Sequence, residues 1–332
     1  MRVLTITPQL PSATRAGSMA PAARQIESLQ ALGTQMNVLE IIGLPMLKYL
    51  QALPSEWSQL AAVDVIHAHF GYCGWLARSQ WRKPVVVSFM GDDLLGTPDA
   101  TGRLKPFSQW MVAANRRLAR MVDAVIVKSA EMAEVVAPVK AYVIPNGVDL
   151  QTFQPMDKTK TRMTLGWDPN KRYILFPGNP ANPRKGFTLA QAATQRAAAQ
   201  LGETLELVSL WQVAPDQVPL YMNGCDVMLM ASLIEGSPNV VKEAMACNLP
   251  VVSVPVGDVA EILRDVPGYV ICPRDAEPLA DALVNMLITM PRAKGRLALE
   301  AKGLDVKTVA QKIMRIYDTV LSCRTKPGSL PV

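Results

Sequence analysis

Short β-rich runs alternate with helical patterns along this whole sequence, and that rhythm restricts the fold more than any other feature. Val3–Thr7 is a β-rich run that ends at Pro8. A helical pattern follows from about Ser18, with Ala22, Ile26 and Leu29 at helical spacing and Gly33 as its stop. Further strands are expected at Asn37–Ile42, Val63–His67, Val85–Phe89, Ala124–Val127 and Tyr142–Ile144. Helices lie between them, the longest about Leu104–Met121. Alternation of this kind builds a parallel, doubly wound sheet.

The rhythm breaks at Pro145-Asn146-Gly147-Val148-Asp149, where Asn-Gly signals a turn. The polar stretch Gln151–Asp168, with Lys158, Lys160 and Arg162, reads as a linker. A second alternation starts at Tyr173–Phe176 and continues near Glu206–Leu210, Val227–Met230, Pro250–Val254 and Tyr269–Ile271. The last helix opens after Asp305, a candidate N-cap, with Val306, Val309, Ile313, Tyr317 and Val320 as its apolar stripe. The chain has 332 residues, against about 100–200 for a typical domain. Two Rossmann-like α/β domains are therefore expected, residues 1–152 and 153–304, with a terminal helix 305–322 packing back on the first. Sheets facing each other would leave a cleft at their carboxyl ends, where ligands collect in open α/β folds.

Composition removes several classes. With 49% hydrophobic and 19% charged residues the chain is neither disordered nor of low complexity. No apolar run reaches the ~18 residues of a membrane span, and Met1-Arg2-Val3-Leu4 lacks a signal-peptide layout. Five scattered cysteines without C-x-x-C spacing argue against a disulfide framework or a zinc site, and for a reducing cytoplasm. A net charge of +6 suits an anionic ligand or surface but gives no ground for nucleic acid as a partner.

Two segments carry chemistry. Glu235-Gly-Ser-Pro-Asn-Val-Val-Lys-Glu243 follows the Val227–Met230 strand and runs into a helix. Ser237 reads as its N-cap and Pro238 as its first residue. The N–H groups of Asn239 and Val240 would then form an anion site, reinforced by the helix dipole. Glu235 and Glu243 flank it, as a ligand with hydroxyls at both ends and a diphosphate between them would require. A nucleotide-sugar is such a ligand, whereas the plain alternative is a capped helix with two solvated glutamates. The second segment, Gly178-Asn-Pro-Ala-Asn-Pro-Arg184-Lys185-Gly186, places two cations at another strand-to-helix loop, where they could clamp a diphosphate leaving group.

With these segments in view, the sequence resembles the retaining glycosyltransferases of family 4, also called glycosyl transferases group 1, which have the two-domain GT-B fold. Ile144-Pro-Asn-Gly-Val-Asp149, Gly178–Gly186, the run from Tyr221 through Glu235 to Ala246, and Pro250-Val-Val252 carry the resemblance. It implies transfer of a sugar, with retained configuration and without a metal or other cofactor, from a UDP- or GDP-linked donor to a hydroxyl of a saccharide or lipid-linked acceptor. It also implies roles: Glu235 for sugar hydroxyls, Glu243 for the ribose, the Asn239 and Val240 amides for sugar and phosphate, and Lys185 for the diphosphate. Gly178, Arg184 and Ser237 belong to the same donor site. Val213 falls where the family contacts the base, and Gly17 where the backbone approaches the donor phosphates.

Three departures stand out. Asn179 follows Gly178 where many relatives have Arg, so Arg184 would have to substitute. Pro238 stands where many have Gly. Met90, in Ser88-Phe-Met-Gly-Asp-Asp93, stands where the family usually has a histidine near the reacting centre. Polar work there is therefore expected from His69, at a strand end, or from Asp92. The alternative for His67 and His69 is a pair of packed, hydrogen-bonded side chains, and Asp92 and Asp93 could simply cap the next turn.

From Arg78 to Arg120 eight cations interleave with Trp75, Trp81, Phe107 and Trp110. They form either a patch for anionic lipid on the inner face of the cell membrane or a solvated face with core aromatics. Other functions remain open at this stage. A nicotinamide oxidoreductase is disfavoured because Pro8–Ser18 has one glycine and no G-x-G-x-x-G. A metal hydrolase would use His67, His69, Asp92 and Asp93. A non-catalytic nucleotide-sugar binder would explain Met90.

Overall fold

A computed structural model describes residues 1–11, 19–99, 103–289 and 293–325. It divides into two compact units. The first holds Met1–Thr97, Leu104–Gly147 and the residues from Val306 on, and the second is built on Val148–Asp305. The two chain crossings lie side by side. Val148 pairs with Asp305 in an isolated parallel bridge, and its N–H donates to the Leu304 carbonyl at 2.9 Å. The division after Gly147 precedes the boundary expected after residue 152.

The first unit is a six-stranded parallel sheet. Its strands are β1 (Arg2–Pro8), β2 (Gln35–Ile41), β3 (Val65–His69), β4 (Val85–Ser88), β5 (Ala124–Val127) and β6 (Ala141–Val143). They run in the order β2-β1-β3-β4-β5-β6. Parallel strands buried on both faces need apolar residues on both, and these supply them in alternation. Leu4, Ile66, Val85, Val87, Val125 and Val127 point into one core with residues of the helices Gly71–Ala77, Pro106–Ala119 and Ala130–Val136. Val3, Val65, Val86, Ala124 and Ile126 point into the other, under the helices Ala20–Ala31 and Val306–Thr325. The terminal helix contributes Val309, Ile313, Ile316, Tyr317 and Val320 to that second core. Burying one such side chain is worth about 1.5–3 kcal/mol.

β3 begins two residues later than the sequence suggests. Leu60–Ala62 forms a 3₁₀ turn, and Asp64 is held at the strand start by the Arg2 N–H at 2.8 Å. The shift puts His67 mid-strand and His69 at the strand end. The longest expected helix in this unit starts at Pro106, which suits a first turn.

The second unit is a five-stranded parallel sheet of β7 (Arg172–Phe176), β8 (Leu205–Ser209), β9 (Val227–Met230), β10 (Val251–Ser253) and β11 (Tyr269–Ile271), in the order β11-β10-β9-β7-β8. The expected linker is not wholly irregular, since Lys158–Leu165 is a helix. The Asp157 carboxylate caps it by accepting the Lys160 N–H at 2.8 Å, and Gly166 closes it in the left-handed conformation. Buried Arg162 then fixes this helix to the sheet by donating to Asp226 at 2.7 Å and to the Gly224 carbonyl at 2.9 Å.

Both sheets share one strand order. In each, the first strand lies between the second and the third, so the chain leaves the first and third strands in opposite directions. That divergence is a topological switch point, the place where ligands bind in such sheets. It lies between β1 and β3 in the first unit and between β7 and β9 in the second.

One hydrogen bond ties the terminal helix to the middle of the first sheet. Tyr317 Oη lies 2.5 Å from His67 Nδ1, and both side chains are fully buried. Tyr317→Phe is expected to lower stability by about 1–3 kcal/mol, because it strands a buried ring nitrogen. Urea unfolding followed by circular dichroism measures this, and an unchanged midpoint would show that the bond contributes nothing.

Candidate functional site

At the second unit's switch point, the loops after β7 and β9 meet through glycine. Gly186 adopts φ 73°. A Cβ there would lie 2.1 Å from the Ala231 carbonyl oxygen, so no larger residue permits this approach. Next to it, the Leu233 N–H donates to the Arg184 carbonyl at 2.8 Å. Asn182 shapes the short 3₁₀ turn Pro183–Lys185 by accepting the Arg184 N–H at 3.1 Å. Gly178 leaves room for the Lys185 stem, whose Cγ would sit 3.0 Å from a Cβ at that position.

The outcome is a short ion pair. Lys185 Nζ donates to Glu235 Oε1 at 2.7 Å, with both side chains largely buried. The sequence assigns these residues to separate parts of a ligand, and the structure brings them into contact. β8 joins the arrangement through Ser209, whose hydroxyl donates to the Gly178 carbonyl at 2.7 Å. Val213 is half-buried on the loop after β8, beside exposed Trp211. Glu243 is 9% exposed, about 6 Å along the helix from Asn239 at 1.5 Å per residue.

The helix start differs from the sequence reading. The helix spans Asn239–Ala246 with Pro238 as its N-cap, so Ser237 lies one residue outside. Ser237 does not cap because its hydroxyl is held elsewhere, accepting from Lys242 Nζ at 2.9 Å. No side chain caps the helix. Asn239 and Val240 are its first two residues, whose N–H groups have no partner within a helix. The Asn239 side-chain oxygen is buried without a hydrogen-bond partner among the described residues. An anion at this point would meet the helix dipole, four residues along the chain from the Glu235 that Lys185 engages.

In the first unit the His67 and His69 rings lie 4.5 Å apart, centroid to centroid. His67 uses both ring nitrogens, one with Tyr317 and the other with Ser88 Oγ at 2.8 Å. His69 Nε2 lies 2.9 Å from Gln25 Nε2, and His69 Nδ1 has no hydrogen-bond partner among the described residues. Burial, with the nearby Lys128 ammonium, lowers the His69 pKa to about 3, so the ring is neutral at physiological pH. Sequence reasoning passed over Lys128, although a lone cation ending the apolar run Ala124–Val127 was a visible signal.

The two aspartates have different environments. Asp92 is exposed, at the start of the short helix Asp92–Leu95. Asp93 is buried and accepts the N–H groups of Gly71, Met90 and Gly91 at 2.9–3.1 Å. Burial pushes its pKa up to about 6 against those donors. A metal site using His67 and Asp93 therefore does not fit, because their ligating atoms already serve the fold. Gly17, assigned to the β1 loop, lies outside the described residues.

The cations of the basic stretch differ in exposure and lie far apart along the chain. Lys105 precedes the helix Pro106–Ala119, while Arg116 and Arg117 lie in its last turn and Arg120 caps it, about 20 Å away at 1.5 Å per residue. Arg78 is buried, with its guanidinium 3.5 Å from the Trp81 ring centroid and 3.6 Å from Asp123. Trp75 packs against the core, whereas Phe107 and Trp110 stack on each other and are exposed.

Known proteins match both units. Residues 8–152 match the model of Glycosyltransferase Family 4, and residues 178–289 match that of Glycosyl transferases group 1. TuaC of Bacillus subtilis, a glycosyltransferase named for teichuronic acid biosynthesis, is 26% identical over 86% of this chain and 89% of its own length. The D-inositol 3-phosphate glycosyltransferase of Mycolicibacterium vanbaalenii is 25% identical over 71% of this chain, which spans 62% of that protein. Sucrose-phosphate synthase from Thermosynechococcus elongatus superposes with a TM-score of 0.77 at 18% identity, over 97% of this chain and all of that one. Anabaena HepE in complex with UDP-glucose gives 0.71 at 19%, over 96% and 100%. At these identities the likeness is one of fold. Two parallel α/β units, matched in this way, define a glycosyltransferase of the GT-B fold. The chain belongs to glycosyltransferase family 4, the glycosyl transferases group 1.

The buried histidines make stability depend on pH in a definite direction. The folded pKa of His69 lies below the ordinary value of 6.5. Between about 6.5 and 3 the unfolded chain therefore binds a proton that the folded chain does not, and stability falls as pH falls. In His69→Gln the loss of melting temperature between pH 7 and pH 5 should be smaller than in wild type. Equal losses would show that His69 does not carry this dependence.

Proposed function

We propose that this glycosyltransferase moves a sugar from a nucleoside-diphosphate sugar to an acceptor hydroxyl, with retained configuration and without a metal. The observation that carries the reading is the Lys185–Glu235 pair beside the uncapped start of the Asn239–Ala246 helix. Lys185 and the two helix amides would hold the diphosphate and stabilise it as it departs, the group of interactions that usually dominates such catalysis. Glu235 would take sugar hydroxyls and Glu243 the ribose. Arg184, Gly178 and Val213 would complete the donor site. HepE, solved with UDP-glucose, supports a nucleotide-sugar donor.

With Met90 where relatives have a histidine, the departing phosphate oxygen would take the acceptor proton, while His69 or Asp92 orients the acceptor through hydrogen bonds with its hydroxyls. A His69 pKa of about 3 suits an orienting role rather than proton exchange near neutrality. We assign the acceptor to cell-envelope polysaccharide or glycolipid synthesis, on the likeness to TuaC. A lipid-linked acceptor fits a peripheral site on the inner membrane face. Ile42, Leu44, Met46 and Leu50 are all more than half exposed, and no helix among the described residues is long and apolar enough to cross a membrane.

A thermal-shift screen of UDP-, GDP- and ADP-sugars tests the donor, since a ligand at 100 times its Kd adds about 2.7 kcal/mol. Turnover with the responding donor then separates an enzyme from a binding protein. Glu243→Ala should weaken donor binding by about 1–3 kcal/mol, the cost of losing a charged acceptor. Unchanged affinity in a folded variant removes the ribose role.

Lys185→Ala should lower turnover by about 10²–10³-fold, the range for one preorganised electrostatic group. EDTA should leave wild-type turnover unchanged. Activity lost with EDTA and restored by Mg²⁺ or Mn²⁺ would sink the metal-free mechanism.

A further inference from the structure

Toward its carboxyl end, one face of the first sheet changes from apolar to polar. On that face Val3, Val65 and Val86 join the core under the helices Ala20–Ala31 and Val306–Thr325. Residues two and four positions further along a strand share its side of the sheet. These are Thr5 and Thr7 on β1, His67 and His69 on β3, and Ser88 on β4, all of them buried. His67 and Ser88 serve each other. The Thr5 and Thr7 hydroxyls, like His69 Nδ1, are buried without a hydrogen-bond partner among the described residues. Ile6 pairs with Ala68 across β1 and β3, so the next residues, Thr7 and His69, stand side by side at the switch point.

The helix Ala20–Ala31 reaches this face through buried Gln25, whose Nε2 lies 2.9 Å from His69 Nε2. An amide nitrogen can only donate, so His69 Nε2 must accept. A neutral imidazole has one accepting and one donating nitrogen, which puts the His69 proton on Nδ1. Burial keeps the ring neutral, and the Lys128 ammonium acts in the same direction. An imidazolium would set two donors against each other at Nε2. The unpartnered ring atom is therefore an N–H, a group that is costly to bury without an acceptor.

We propose that Gln25 is a positioning residue that holds His69 as its Nδ1–H tautomer, so that the first unit meets the acceptor with a hydrogen-bond donor and not with a base. The partner that completes this donor is an oxygen lone pair of the acceptor, and the Thr7 hydroxyl stands beside the same point. The proposal rests on the acceptor role read for His69 above. It separates His69 from Asp92, whose carboxylate can only accept. A ring set in this way orients the attacking oxygen through one lone pair and keeps its own proton. The acceptor proton is left to the departing phosphate oxygen.

Nitrogen NMR of protein labelled in its histidine rings reads the tautomer directly. The chain has two histidines, and His69→Gln assigns their signals by difference. At pH 7 wild-type His69 should show a protonated Nδ1 and a bare Nε2, and the reverse would overturn the proposal. Gln25→Glu keeps the shape but offers an acceptor, and should place the proton on Nε2. Gln25→Leu removes the contact and should give a mixture of tautomers, and it carries the test if Gln25→Glu does not fold. A bare Nε2 in the folded variants would show that Gln25 does not set the ring. Release of nucleoside diphosphate from UDP-, GDP- and ADP-glucose, with water as acceptor, reads the consequence. For the donor that wild type uses, kcat should fall in step with the Nδ1–H form, while donor KM stays within about threefold. His69→Phe, without ring nitrogens, should lie at least tenfold below wild type. Wild-type kcat in His69→Phe, or in a Gln25 variant that has lost the Nδ1–H form, would overturn the donor role. Wild-type protein that uses none of the three sugars would overturn the transfer reading itself, while the spectrum still decides the tautomer.

Discussion

A parallel sheet covered by helices on both faces leaves its polar chemistry only the strand ends. In both units the strand order sends the chain in opposite directions after the first and third strands. A gap opens between those strand ends, and the residues lining it come from two separate loops. In the second unit one close approach sets the loops' spacing, Gly186 against the Ala231 carbonyl. A methyl group there would push the β7 loop away from β9, and the Lys185–Glu235 contact depends on that spacing. The glycine is thus a condition for the ion pair, although it offers no chemical group of its own.

Much of this fold was legible because periodicity and punctuation agreed. Val227–Met230 and Tyr269–Ile271 are strands with the bounds read from sequence, each opening directly after a turn-favouring residue, Asp226 and Gly268. The helix Lys158–Leu165 was not legible. Its sequence KTKTRMTL is polar, and what holds it is Arg162 reaching Asp226, a residue 64 positions away. Propensity cannot register such a contact. The strand ends were less hidden: the alternation places His69 and the Gly178–Gly186 and Glu235–Glu243 segments at the carboxyl ends of strands, but strand order does not follow from it, because doubly wound sheets take more than one.

Local rules failed at the helix start for an instructive reason. Serine followed by proline is a strong sequence signal for N-cap and first residue. It assumes that the serine hydroxyl has no better partner. Here a buried ammonium five residues along claims it, and Pro238 becomes the N-cap without a side chain to serve it. Lys242 itself was visible as one cation within the buried run Val241–Ala246. Departures of this kind concentrate where a structure gives up local stability for a site.

The Lys185–Glu235 pair shapes how the donor reading bears on energetics. A diphosphate approaching Lys185 meets an ammonium already engaged by a carboxylate at 2.7 Å. Binding would be an exchange in which Lys185 turns from carboxylate to phosphate and Glu235 is released to sugar hydroxyls. Hydrogen bonds to charged groups are worth about 1.5–3 kcal/mol net on each side of such an exchange, so the difference that appears as affinity is small. Charge that builds on the departing phosphate strengthens only the new contact. Such an exchange would discriminate between bound donor and transition state, which is the condition for raising turnover rather than affinity. The same pairing keeps Glu235 from standing as an unpaired, largely buried carboxylate, whose charge would oppose any anion drawn to the helix amides.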